Sequence, residues 1–214
     1  MKVWRASDCR KQVCQILDRQ TPDEGWNIEH AVCMASGSFS RENLENRKRS
    51  GFQFVAFVDM VNHLQEEGKA EIRVVAQEPA FTEVDRLFLA DIGVEVCQVA
   101  VEEGGGKEDG SAGSRVTDYF GPSSFVCELF MERQEGFLRD LLQAEAKLVL
   151  SSIMTARWWM RQYRKAVDED TTLDQVVSHD YQKYRMPRFD DDPNIFEGLC
   201  IFSRRPAEDD DEDG

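Results

Sequence analysis

Two short apolar runs, 31–36 and 72–77, stand on either side of one long apolar run, 52–64, and no other feature limits the possible folds as much. The first run, Ala31-Val32-Cys33-Met34-Ala35-Ser36, enters the small-residue turn Gly37-Ser38, and the second stops at Glu78-Pro79. Short apolar runs bounded by turn residues read as buried strands, while the longer run between them has the length of a helix. Strands joined through a helix pair in parallel by a right-handed crossover. Both faces of such a sheet must be covered, so the chain is committed to an α/β architecture.

The rest of the chain extends this pattern. Residues 8–19 read as a helix capped by Ser7 or Asp8, with Cys9, Val13, Ile16 and Leu17 on one face, and Thr21-Pro22-Asp23-Glu24-Gly25 breaks it. Residues 41–50 are polar and read as a loop or short helical turn ahead of a helix from about Phe52 to Glu67 that ends at Gly68. Thr82 caps the next helix with Asp85 at its third position. Val84, Leu87, Phe88 and Ile92 form its apolar stripe, and Gly93 ends it. Strands follow at 94–97, 125–130, 147–150 and 199–202, and helices at 134–144 and 153–167. The glycine-rich stretch 102–115 reads as a flexible surface loop, 168–172 as a turn, and 173–196 as polar and mixed.

The expected fold is a single-domain, Rossmann-like α/β structure with a mostly parallel, doubly wound sheet and helices on both faces. The expected organisation is an N-terminal helix and linker over 1–25, one domain over 26–205, and a disordered acidic tail over 206–214.

Charge narrows the partners. The net charge is -15, and the body is acidic even without the tail. General nucleic-acid binding and docking on anionic membrane both need a basic footprint, so neither is expected, while a protein partner stays open. No apolar run approaches the ~20 residues of a membrane span, and the start, Met1-Lys2-Val3-Trp4-Arg5, turns polar too soon for a signal peptide. Cys33, Cys97, Cys127 and Cys200 each lie in an apolar run, where a free thiol serves as a small hydrophobe. With no CxxC or HxxxH pair, no metal site is expected, and a reducing compartment, cytosol or nucleus, fits best.

In a doubly wound sheet, ligands lie beyond the carboxyl ends of the strands, where strand order reverses. Those ends carry Gly37 and Ser38, Glu78, Gln98, Glu128, and Ser151 with Ser152. A small turn admits close backbone approach, and an acid after the second strand is where a ribose hydroxyl is held. The alternative is a turn kept small for packing, with Glu78 a solvated loop acid. Only Gly37 represents the GxGxxG pattern, and Arg41 stands near the place of a third glycine. Arg47, Lys48 and Arg49, ahead of the second helix, are a candidate anion site or a solvated loop. Arg157, Trp158, Arg161 and Arg164 form a basic, tryptophan-bearing stretch that fits an acidic partner or pairs with the nearby acids 168–170. No nucleophile–base set stands out and no GxSxG elbow occurs, so no catalytic residue is assigned.

Three blocks carry a family likeness: Cys33-Met34-Ala35-Ser36-Gly37-Ser38-Phe39-Ser40; Ser50-Gly51-Phe52-Gln53-Phe54-Val55-Ala56-Phe57; and Glu78-Pro79-Ala80-Phe81-Thr82-Glu83-Val84-Asp85 followed by Leu89 and Ile92-Gly93-Val94-Glu95-Val96. Over roughly residues 28–155 the sequence resembles the sensitivity-to-red-light-reduced (SRR-like) domain family, and looks like its divergent fungal branch. The resemblance implies a regulatory rather than catalytic role, in a family linked to light signalling and circadian output, haem-synthesis regulation and microtubule-related phenotypes. Where that family carries Pro-His-Cys after its fourth strand, this chain has Cys127-Glu128-Leu129-Phe130, so no role of that histidine carries over. The leading expectation is a non-catalytic regulatory protein with a nucleotide-like or anionic ligand in the crevice, no particular cofactor being specified. The alternatives are an S-adenosylmethionine-dependent methyltransferase-like enzyme and a protein-interaction module.

Overall fold

The computed structural model describes residues 2–68, 71–97, 115–129, 135–152 and 173–206. Its elements run α1 (Lys2–Ala6), α2 (Asp8–Arg19), β1 (His30–Met34), α3 (Leu44–Glu67), β2 (Arg73–Gln77), α4 (Glu83–Asp91), β3 (Glu95–Val96), a 3-10 turn (Val116–Tyr119), β4 (Ser124–Glu128), α5 (Glu135–Gln143), β5 (Leu148–Ser151), α6 (Leu173–Asp180), β6 (Tyr181–Arg185) and β7 (Cys200–Arg204). The Gln98 end, the glycine-rich stretch up to Ser114, the expected helix with Arg157, Trp158, Arg161 and Arg164, and the tail from Ala207 lie outside the described residues.

The seven strands among the described residues form one sheet in the order β3-β2-β1-β4-β5-β7-β6. The pairs β2–β3, β1–β2, β1–β4 and β4–β5 are parallel, whereas β7 is antiparallel to both β5 and β6. This is the expected doubly wound α/β sheet, with its switch point between β1 and β4.

Period-two alternation divides the core in two. Ala31 and Cys33 of β1 face a cluster with α1, α2, α3 and Leu89 of α4, while Val32 and Met34 face one with α5 and α6. Helices therefore cover both faces. Cys33, Cys97, Cys127 and Cys200 are buried and free, as small hydrophobes are. No helix among the described residues is long and apolar enough to cross a membrane.

Three expectations change. First, α3 starts at Leu44 rather than Phe52, because the Asn43 side chain caps it by accepting from Asn46 N at 3.0 Å. Its first turns project beyond the core, so they carry no apolar periodicity. Arg47, Lys48 and Arg49 consequently sit within the helix instead of ahead of it.

Second, the supposed apolar stripe of α4 faces solvent: Val84, Leu87, Phe88 and Ile92 are 65%, 63%, 47% and 43% exposed. The inward positions are Phe81, Asp85 and Leu89. A polar residue occupies the central one, which displaces the apolar periodicity from the packed face. Third, 173–196 holds α6 and β6. As an edge strand with Lys183 and Arg185 exposed, β6 lacks the alternation of a half-buried strand.

Candidate functional site

β1 ends in a reversal made by two residues in the left-handed region, Ala35 (φ 54°) and Gly37 (φ 70°). Between and after them, Ser36 and Ser38 point into the protein and are 4% exposed. The turn is fastened to the loop after β2 by two carboxylates. Glu78 accepts from Gly37 N at 2.8 Å and, through its other oxygen, from Ala80 N at 2.9 Å. It is half-buried.

Asp85 is the stronger tie. Only 1% exposed, it accepts from Ser38 Oγ at 2.7 Å, Phe39 N at 3.0 Å, Thr82 N at 2.8 Å and Thr82 Oγ1 at 3.0 Å. The Ser40 hydroxyl stands 3.2 Å away. Thr82 Oγ1 in turn accepts from Asp85 N, which closes a capping box at the start of α4. Burial pushes the Asp85 carboxyl up, but the bonds from Ser38, Thr82 and Ser40 outweigh it and hold the group below its ordinary range. Phe39 completes the joint, its ring 4.9 Å from Phe54 and 5.5 Å from Phe81.

Arg41 covers the turn. Its Nε donates to Ser38 O at 2.9 Å, and its guanidinium occupies the space where a Gly37 side chain would stand. A Cβ built on Gly37 would overlap Arg41 Nη2 and come within 2.9 Å of the buried Ser50 Oγ. Gly37→Ala is therefore expected to lower unfolding free energy in urea by about 1–2 kcal/mol from left-handed backbone strain. The clash with Arg41 adds to that, so adding Arg41→Ala should recover part of the loss. Equal stability of Gly37→Ala and the wild type would contradict this geometry.

On the far side of the switch point a second polar cluster ends β4 and β5. Met34 of β1 is in register with Gln77 of β2 and with Glu128 of β4, which in turn faces Ser151 of β5. Glu128 is fully buried and accepts from Ser151 Oγ at 2.8 Å and Ser152 N at 3.1 Å, with Ser152 Oγ at 3.3 Å. These serines are donors to a carboxylate. The neighbouring Cys127 thiol is pushed well above its ordinary range, chiefly by burial, so it stays protonated.

Gly37, Ser38 and Glu78 thus meet at the ends of β1 and β2, and Glu128 meets Ser151 and Ser152 across β4 and β5. Arg47, Lys48 and Arg49 do not join them: Arg47 is exposed, and Lys48 pairs with Asp192 at 3.0 Å. The cation at the crevice is Arg41, and the central carboxylate is Asp85. Neither was assigned from sequence. For Arg41 the signal was a charged residue near the place of a third glycine; for Asp85 it was a polar residue on the inward face of a short helix.

A family model described as the SRR1 domain matches residues 11–133. That span runs from α2 past β4 and includes Gly37, Ser38, Arg41, Glu78, Asp85 and Glu128. No curated protein and no solved structure matches the chain.

Proposed function

Since this chain belongs to the SRR1 domain family, we propose that it is a regulatory protein whose switch-point crevice takes a nucleotide-like or anionic small ligand. One observation carries the ligand half: the β1 turn presents Arg41 directly over Gly37, at the reversal point of a doubly wound sheet. A guanidinium there suits a phosphate or carboxylate. The turn is braced from behind by Glu78 and Asp85, so its shape is set before a ligand arrives. Among the described residues each Glu78 oxygen accepts one bond, and a carboxylate has capacity for about four, which leaves room for a ligand hydroxyl. The regulatory half rests on how the acids and serines are used. Asp85, Glu128, Ser38 and Ser151 bond to one another in structural pairs, an arrangement that positions loops rather than activates a nucleophile.

A second reading, the methyltransferase-like enzyme, is favoured by the strand order. A seven-stranded sheet ordered 3-2-1-4-5-7-6 with only the seventh strand antiparallel is the arrangement of S-adenosylmethionine-dependent methyltransferases. Fold alone does not carry function, and here Arg41 stands where a glycine turn would be open.

One experiment separates the two. In a thermal-shift panel of nucleotides with S-adenosylhomocysteine included, the regulatory reading expects a nucleotide to stabilise the protein. The expected gain is about 2.7 kcal/mol at 100 times its dissociation constant. Arg41→Ala should abolish it. Stabilisation by S-adenosylhomocysteine alone transfers the case to the enzyme, and a flat panel removes the ligand half.

A further inference from the structure

A separate cleft opens at the other end of the same sheet edge. β6 runs parallel to β5, so Arg185 ends a strand on the carboxyl edge, in register with Cys200, which faces Ser151. Between β6 and β7, residues 186–199 fold back over this edge. Met186 N donates to Leu199 O at 3.0 Å, and Leu199 N to Phe196 O at 3.1 Å. The segment is fastened to the body: Gln53 Nε2 donates to Ile195 O at 2.6 Å, Lys48 pairs with Asp192 at 3.0 Å, and Phe196 packs 5.5 Å from the Trp4 ring. The result is a built cleft of about 560 Å³, inside the usual range for small-molecule sites.

Its chemistry is the reverse of the body's. The chain holds 41 acidic against 26 basic residues, yet among the described residues the cleft is lined by Lys183, Arg185 and Arg188 with Glu197 as the one acid. Arg188 has a loose pair in Asp190 at 3.8 Å, where both side chains are largely exposed and contribute little. Met186 and Phe196 line the same space and are themselves buried, giving an apolar wall beside the charged rim. Cys200 lines it too, and burial raises its thiol despite the opposing charges of Lys183 and Arg185. It is a wall and not a reagent.

We infer that this cleft binds a small organic phosphate, its dianionic head against Lys183, Arg185 and Arg188 and its apolar body against Met186 and Phe196. In the described lining, three cations against one anion match the ≈ −1.5 to −2 charge of a phosphate monoester at neutral pH. A volume of this size with an apolar wall exceeds what inorganic phosphate needs, so part of the affinity comes from the organic half. The site lies outside residues 11–133 and does not depend on the crevice over Gly37.

The test uses full-length, isotope-labelled protein and follows amide signals while phenyl phosphate, inorganic phosphate or phenol is added. Phenyl phosphate is expected to shift signals of 183–186 and 196–200 saturably and to bind about tenfold more tightly than inorganic phosphate, whereas phenol alone should shift none of them. Lys183→Glu with Arg185→Glu should weaken it by at least about tenfold at an unchanged unfolding midpoint. If that pair fails to fold, Lys183→Gln with Arg185→Gln keeps the comparison. Four results overturn the inference: no saturable shift at tens of millimolar, equal affinity for inorganic and phenyl phosphate, shifts confined to 37–41, or tighter binding of an acidic octapeptide at the same residues.

Discussion

Asp85→Ala is expected to lower the unfolding free energy at neutral pH by about 3–5 kcal/mol, because several donors lose their shared acceptor at once. The substitution removes the common acceptor of Ser38 Oγ, Phe39 N and both polar groups of Thr82, at a site only 1% exposed. The buried Ser38 donor left without a partner costs about 1–3 kcal/mol and the exposed Thr82 groups less, and losing the α4 cap adds about 1 kcal/mol. Some donors will recover by shifting toward water, which is why the total stays below the sum.

Asp85→Asn, which keeps one acceptor oxygen, should lose less. The pH dependence has a definite sign. The Asp85 carboxyl is held low in the folded state, so its stabilising contribution is complete above the unfolded value of about 3.9 and is lost as pH falls through the lower folded value. The acid limb of a stability–pH curve should therefore flatten in Asp85→Ala. A loss under about 1 kcal/mol in urea unfolding would show that the two loops hold without this carboxylate.

Trp4→Ala should cost about 3–5 kcal/mol, as large aromatic truncations in cores do. Trp4 is fully buried although α1 is only five residues long. Its ring lies 6.0 Å from Phe189 and 5.5 Å from Phe196, and Phe52 of α3 stacks on Phe189 at 5.1 Å. The truncated side chain would leave a cavity among three rigid rings that cannot close on it. Trp4→Phe makes an informative contrast. The indole Nε1 is buried with no hydrogen-bond partner among the described residues, so replacing it removes an unmet donor along with some volume. Its cost is expected to stay within about 1 kcal/mol. If Trp4→Ala proves as mild, the N-terminal helices are an appendage and not part of the core.

What the chain showed before folding depended on whether a signal was local. Thr82 and Asp85 are three positions apart, and their cap was visible. Glu78 accepts from Gly37 N across 41 positions, a pairing that no spacing rule exposes. The same carboxylate therefore read as a ribose acid or a solvated one, when one of its oxygens secures the turn. Strand positions followed from apolar runs, because buried strands must be apolar. β6 did not, since Tyr181 is buried while Lys183 and Arg185, which share its face of the strand, are exposed, so no period-two pattern reveals it. On α4 the periodicity selected the solvent side, because the inward position holds Asp85. The error and the site thus share one cause: a polar residue was placed where packing alone would put leucine.

The contact between the chain's beginning and its late segment has a consequence for synthesis. Cys9 Sγ donates to Pro187 O across 178 positions, and Trp4 reaches Phe189 and Phe196. While the polypeptide emerges, β1, α3 and β2 can pair early, but the Trp4 ring lacks its Phe189 and Phe196 neighbours until the residues near 196 have left the ribosome. At about 5–20 residues per second that delay lasts on the order of ten seconds or more. During it the nascent chain displays a tryptophan and the Phe52 ring to whatever is near. The segment between β6 and β7 thus decides when the ring of the first helix is covered, and a stall or cut between β5 and β7 is expected to leave that ring exposed on an otherwise paired sheet centre.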